Sequence, residues 1–235
     1  MTLTVLDPGL LTTVQDRGRV GFAHLGVPRA GALDAPAAAL ATRLVGNPPD
    51  AALLETTMTG AAIRVDRALT VAVTGARCEV RVDGRPVPFA EPVSLRAGAV
   101  LVVGPAREGV RSYVAVAGGL DVPPVLGSRS TDTLAGLGPA RLRAGDVLAL
   151  GPAPGPPAPL DVAPLRTGAG PLRLLLGPRA SWLGPAGLAA LATASYAVSP
   201  NSDRVGLRLT GPPLDLLETR ELPSEGVVLS AWQDR

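Results

Sequence analysis

Short apolar runs broken by glycine and proline constrain this chain more than any other feature. Glycine (28) and proline (25) make up more than a fifth of the 235 residues, a share that approaches low-complexity disorder. Here, however, they stand between Val/Leu/Ala runs instead of forming tracts. A chain interrupted so often suits short strands joined by tight turns. From Ala52 to Leu150 the pattern is strand after strand, as in "AAIRVDR", "LTVAVTG", "EVRVDG", "AVLVVG", "RSYVAVAGG" and "DVLALG". Such a meander, with a turn about every ten residues, is the sequence form of an antiparallel barrel or sandwich.

The flanking segments are read in the same way. "LTVLDPG" reads as a strand running into a turn. "DAPAAALATRLV" is the best helix candidate, with Asp34 as N-cap, Pro36 in the first turn and a stop at Gly46–Pro49. Residues 153–170 are rich in Pro, Gly and Ala without alternation and read as a linker. This divides the chain into a first module over 1–152 and a second over 171–235. In the second, "PLRLLLGPR" reads as a strand, "GPAGLAALATASY" as a short helix and "YAVSPNSDRVGLRLTGPPL" as a turn between strands. About 65 residues are few for a self-sufficient core.

Composition removes several chemistries. Every basic residue other than His24 is an arginine, so a lysine Schiff base, covalent pyridoxal phosphate and a P-loop lysine are all excluded. The single cysteine, Cys78, permits no internal disulfide and no thiolate zinc cluster, and the alternation of "VAVTGARCEVRV" reads as a strand that holds it as a plain core or half-buried thiol. One histidine permits no multi-histidine metal site, and no spacing resembles a calcium loop, so no metal is expected. The formal charge is +2, the arginines are interspersed with acids, and aromatics are 3% of the chain. That leaves little for nucleic acid to bind or stack on. No apolar run reaches membrane-span length and the N-terminus lacks a signal-peptide pattern, so a cytoplasmic location is expected.

Three polar clusters interrupt the apolar strands: Gln15, Asp16, Arg17, Arg19 and Asp34 in the first, Ser128 to Thr133 in the second, Ser199 to Arg208 in the third. Two of them carry Asp-Arg close to glycine. An arginine fork binds a carboxylate in a bidentate way, glycine lets a ligand approach the backbone, and an adjacent aspartate can orient the arginine or act as a base. The alternative is that these are turns held by Asx-type hydrogen bonds and exposed ion pairs worth under about 1 kcal/mol each. His24, flanked by Ala23 and Leu25, reads as structural. Asp34 reads as a helix cap.

At these clusters the chain resembles a known family. "PGLLTTVQDRGRVGFAHLGVPRAGALD", "RLVGNPPDAALLE", "VAVAGGLDVPPVLGSRSTDT", "SPNSDRVGLRLTGPPL" and "RELPSEGVV" together resemble the biotin-dependent carboxyltransferase-like family, also called allophanate hydrolase subunit 2-like. Its bacterial members include the C-type subunit of the ATP-dependent 5-oxoprolinase. The resemblance implies a mainly β fold of two tandem cyclophilin-like β-barrel modules with short helices. It implies one subunit of a hydrolase that works on a cyclic amide: with an A-type partner and a cyclophilin-fold B-type partner it would open 5-oxoproline to glutamate, and it would be inactive alone. ATP belongs to the complex. The alternatives are a carboxyltransferase module for urea or a similar amide, served by biotin, and a non-catalytic regulator that binds a kinase inhibitor resembling the B-type partner.

Both chemistries need donors for a developing anion. By analogy Asp16, Arg17, Asp203 and Arg204 are the expected catalytic group. Gln15, Gly18, Asn201 and Ser202 are expected to bind substrate, together with Glu55 and Glu225, which could instead lie on a solvated face. The chain departs from the family's pattern in two places. Ala30 stands where many members have serine, and the sequence ends soon after "SEGVV", so the second module is expected to lack its closing strands.

Overall fold

The computed structural model describes residues 1–152, 174–177, 180–214 and 228–229. The expected linker and Glu225 lie outside these residues. The chain divides into two compact units, Met1–Leu165 and Arg166–Arg235.

The first unit is a mainly β structure whose sheet curls into a half-barrel. Its elements are β1 (Thr2–Asp7), β2 (Leu11–Gln15), helix α1 (Ala35–Leu44), β3 (Leu53–Thr57), β4 (Ala61–Val65), β5 (Leu69–Val82), β6 (Arg85–Val87), β7 (Val93–Leu95), β8 (Val100–Val116) and β9 (Val147–Ala149). These nine strands form one sheet with the order β2-β3-β8-β4-β1-β9, and β5 pairs with β6, β7 and β8. All the pairings are antiparallel, as the meander requires.

Two details of the meander differ from the sequence expectation. "LTVAVTG" and "EVRVDG" are one strand, β5, and "AVLVVG" and "RSYVAVAGG" are likewise one, β8. The glycines between them mark irregularities within the strands instead of turns. The β5–β8 register shifts between Gly75 and Arg77, again to Cys78, and again to Val80. Bulges of this kind bend a strand and increase its twist, which is how two long strands can each serve both walls of a curled sheet. Cys78 lies in this bend, half-buried as expected, and burial pushes its thiol pKa up. The other difference is that Leu11–Gln15, of which the sequence assigns only Gln15, to the first polar cluster, is a strand in which Thr12 to Gln15 are all buried.

The strand alternation feeds two cores, one on each face of the sheet. Leu54, Val71, Val73, Val114 and Val116 point to the inside of the curl with Leu3, Val5, Ile63 and Leu101. Their neighbours Leu53, Ala72, Tyr113 and Ala115 point the other way and pack against Leu40, Ala41 and Leu44 of α1. Burying both faces explains why β3 is inaccessible along its whole length.

Helix α1 starts as the sequence indicates. The Asp34 carboxylate accepts from the Ala37 amide at 3.0 Å, and proline occupies the first turn. Asp34→Ala is expected to cost about 1 kcal/mol, the usual worth of such a cap, read as a lower urea midpoint with an unchanged slope. A slope change would mean that more than the cap had been lost.

In the second unit a 3-10 turn (Ala180–Leu183) leads into α2 (Gly184–Thr193), followed by β10 (Ala197–Val198), β11 (Leu207–Thr210) and β12 (Val228–Leu229). These three strands form a sheet of order β10-β11-β12. The expected helix and turn are present. The expected strand in "PLRLLLGPR" is not: Leu174–Gly177 is irregular and exposed, and the rest of that stretch lies outside the described residues.

Candidate functional site

Strand β2 delivers the first polar cluster to its position. One edge of β2 pairs with β3, with Gln15 opposite Leu53. The other edge is taken by the long connection after β8, through Thr131 N–H to Val14 O (2.8 Å) and Leu142 N–H to Thr12 O (3.0 Å). Asp16, at the end of β2, therefore meets Ser128, Arg129 and Ser130 of that connection.

The Asp16 carboxylate joins the two segments. It accepts hydrogen bonds from Ser128 Oγ (2.6 Å), Ser130 Oγ (2.5 Å), the Arg129 amide (2.6 Å) and the Gly18 amide (2.8 Å). Ser130 Oγ also accepts from the Asp16 amide at 2.9 Å. Burial is the largest influence on this carboxyl and raises its pKa. The four hydrogen bonds together outweigh burial and hold the pKa below the ordinary 3.8. A carboxylate with both oxygens so engaged is a clasp between loops and has little capacity left for proton transfer.

Arg19 is the buried counterpart of this clasp. It is among the largest fully buried side chains, with Nη2 donating to Ser130 O (2.6 Å) and Nε to Val125 O (3.1 Å). Gln15 is equally inaccessible, its amide donating to Thr13 Oγ1 and Thr131 O, both at 3.0 Å. Arg17, between them in sequence, is exposed and makes no hydrogen bond or ion pair with the described residues. The clasp thus fixes the backbone on either side of one solvent-facing guanidinium.

The loop that follows closes on itself at a narrow neck, through Arg19 N–H to Arg29 O (2.6 Å) and Ala32 N–H to Asp16 O (2.9 Å). Gly18 sits in this neck at φ +81, where a Cβ would lie 2.5 Å from the Arg29 carbonyl oxygen. Only glycine tolerates both that φ and that approach. The loop tip holds His24 on an exposed 3-10 turn (Ala23–Leu25).

Beneath the neck lies a buried network set by the β3–β8 register, which places Glu55 opposite Tyr113 and Thr57 opposite Arg111. Glu55 Oε2 accepts from the Leu33 amide (2.9 Å) and from Tyr113 O–H (3.1 Å), and Glu55 Oε1 lies 3.5 Å from Arg111. Arg111 also donates to Thr57 Oγ1 at 2.6 Å, and Tyr113 Oη accepts from the Asp34 amide at 2.6 Å. Burial first, and then the Glu55 charge, push the Tyr113 pKa far up, so its hydroxyl stays a donor. Glu55, 1% exposed, is not on a solvated face. It anchors the start of α1 and the end of the loop.

Of the expected site residues, Gln15, Asp16, Arg17 and Gly18 form one cluster, and Glu55 lies under its loop. Asn201, Ser202, Asp203 and Arg204 belong to the second unit and form the turn between β10 and β11. Asp203 Oδ1 accepts from the Val205 (2.8 Å) and Gly206 (3.1 Å) amides. Ser202 Oγ donates to Arg208 O (3.2 Å) and accepts from its amide (2.9 Å), so both side chains hold the turn. Asn201 is exposed and Arg204 half-buried. Sequence reasoning finds Ser128–Ser130 without pairing it to Asp16. The available signal is a pair of serines flanking an arginine, suited to bonding one carboxylate from two sides. Tyr113, the one aromatic in an otherwise apolar stretch of β8, is a similar signal.

Residues 25–234 match the family model described as carboxyltransferase domain, subdomain A and B. The chain belongs to that family. Among carboxyltransferase-domain relatives, the C-type subunit of 5-oxoprolinase from Escherichia coli is 37% identical over 229 residues, which cover 96% of this chain and 74% of that one. Urea amidolyase of Lachancea kluyveri is 35% identical over 228 residues, 88% of this chain but 12% of that much larger enzyme. Among solved structures, one of TTHA0988 superposes with a TM-score of 0.81 at 38% identity, covering 98% of this chain and 87% of that one. The Kluyveromyces lactis urea amidolyase superposes with a TM-score of 0.84 at 31% identity, covering 92% of this chain and 14% of that one. The resemblance read from the five sequence stretches therefore holds.

Proposed function

We propose that this chain is one subunit of an ATP-dependent 5-oxoprolinase complex, converting 5-oxo-L-proline, ATP and water to L-glutamate, ADP and phosphate, and inactive alone. The observation that carries this reading is the extent of the match to the 5-oxoprolinase C-type subunit, which spans nearly all of this chain and three quarters of that relative. In this reading the clasp is a rigid mount. Asp16 positions the loop through Ser128 and Ser130, Gly18 lets the loop neck close, and Arg17 meets the anionic amide intermediate in solvent-facing space. Gln15 and Glu55 support the mount from inside. We read the second unit with the first as tandem cyclophilin-like modules, with Asn201, Ser202, Asp203 and Arg204 as the second module's own candidate residues for an anionic ligand. Partners of the A and B types would complete the site and supply the ATP step, and the complex would work in the cytoplasm. No helix among the described residues is long and apolar enough to cross a membrane.

The test is reconstitution. Mixed with both sister subunits, the chain is expected to support 5-oxoproline-dependent ATP hydrolysis that vanishes when it is left out. Arg17→Ala should lower kcat at least about tenfold, the worth of one charge-assisted contact, while copurification with the partners persists. ATP hydrolysis that continues without this chain would sink the reading. The carboxyltransferase alternative is favoured by the family model itself and by the urea amidolyase matches. It would show as bicarbonate-dependent turnover of urea or a similar amide with a biotinylated partner. Intact partner binding with no turnover that depends on this chain would instead favour the regulatory reading.

A further inference from the structure

Two of the sequence stretches that carry the family resemblance, "RLVGNPPDAALLE" and "VAVAGGLDVPPVLGSRSTDT", meet at a cavity of about 210 Å³ that Arg17 does not line. Asn47 brings them together. Its Nδ2 donates to Val116 O (2.7 Å) and its Oδ1 accepts from the Gly118 amide (2.8 Å). This buried side chain holds the Gly118–Gly119 turn, where both residues have positive φ. The wall so formed is bare backbone: a Cβ on Gly118 would lie 2.4 Å from the Gly151 carbonyl oxygen. Asp50, Asp121 and Arg129 are the charged residues that line the cavity.

Arg129 is held at two points. Its amide donates to Asp16 (2.6 Å) and its Nε to Val122 O (3.0 Å). The two terminal nitrogens make no hydrogen bond with the described residues, and no carboxylate among those residues lies within 4.0 Å of them. Arg129, Asp50 and Asp121 therefore line one cavity, with the guanidinium tied at Nε and neither aspartate in an ion pair with it. A simple anion would face the aspartates, and a simple cation would face Arg129. A zwitterion satisfies both, its carboxylate taking the fork in a bidentate way and its ammonium donating toward Asp121 and Asp50. The volume is below the ~300–1,000 Å³ of drug-sized sites, which suits a small molecule.

We infer that this cavity binds a free α-amino acid, with Arg129 receiving the carboxylate and Asp121 and Asp50 the ammonium group. The inference does not depend on the oxoprolinase reading. Because the Arg129 amide is one of the four donors on Asp16, an occupant of the cavity lies one residue away from the clasp.

Calorimetric titration of the full chain with free L-amino acids tests this. At least one is expected to bind with one-to-one stoichiometry. Its des-amino and decarboxylated counterparts should bind at least about tenfold more weakly, since each loses one charged contact. Arg129→Gln should weaken the amino acid by a similar factor. Asp121→Asn, at an exposed position, should weaken the amino acid while leaving the des-amino acid unchanged or tighter, and it carries the test if Arg129→Gln fails to fold. Binding by no amino acid, equal binding of the des-amino acid, or an amino-acid affinity unaffected by Asp121→Asn overturns the inference.

Discussion

Asp16→Ala is expected to lower the unfolding free energy of the first unit by about 2–4 kcal/mol, and to abolish turnover in the reconstituted complex. The stability figure follows from what the carboxylate does. Two serine hydroxyls and two backbone amides converge on it, and hydrogen bonds to a charged group contribute about 1.5–3 kcal/mol each before shared desolvation is discounted. Alanine leaves Ser128 and Ser130, both fully buried, without this acceptor. In a protein of this size each kcal/mol lowers Tm by roughly 2–4 °C, so thermal melting reads the effect directly. The pH dependence separates the clasp from simple packing. The folded carboxyl has a lower pKa than the ordinary 3.8, so the folded state binds its proton less readily than the unfolded chain does. Its contribution is complete above about pH 4 and is lost as pH falls toward and through the lower folded value. The stability gap between the wild type and Asp16→Asn should therefore be constant near neutrality and shrink in acid. A gap that stays the same down to low pH would remove the carboxylate clasp from the account.

The loops around this clasp are partly legible in the sequence, and particular residues show where the limit falls. Helix α1 is readable because its cap, first-turn proline and terminating glycine act locally. The meander is readable because alternation is a property of neighbouring residues. What fails is anything that depends on a partner far along the chain. Glycines within β5 and β8 look like turns, since local sequence does not distinguish a bulge from a reversal; only the pairing of Val71–Val82 with Leu101–Val116 does. Gln15 reads as a substrate contact and Arg19 as a member of the same polar cluster because their partners, Thr131 O, Ser130 O and Val125 O, are backbone groups more than a hundred residues away. Backbone carbonyls leave no mark in a sequence. Asp16 stands out for chemistry through its neighbour Arg17, whereas three of the four hydrogen bonds to its carboxylate come from the second polar cluster. The clusters are visible in the sequence, and their pairing is not.

Glu55→Ala is expected to cost about 3–5 kcal/mol, the range for removing one member of a buried ion pair. Glu55 and the side chain of Arg111 are 1% and 9% exposed, so truncating the acid removes a carboxylate from beside a guanidinium that water hardly reaches. It also removes the acceptor for the Leu33 amide and for Tyr113 O–H, and leaves a cavity under the loop neck. Arg111→Met should cost less, because the Glu55 carboxylate would keep both of those donors. Tyr113→Phe should cost least, about 1–2 kcal/mol, through the loss of the link between Glu55 and the Asp34 amide. This order, Glu55 over Arg111 over Tyr113, follows from the ion pair and the buried donors that each change deprives of its acceptor, and urea titration of the three variants measures it. Hydrogen exchange adds a second reading. In Glu55→Ala the Leu33 and Asp34 amides should exchange faster than those in the middle of α1, because the network holds the entry to the helix and not its body. Uniform acceleration across α1 would mean that Glu55 supports the fold as a whole and has no particular hold on the loop that carries Arg17.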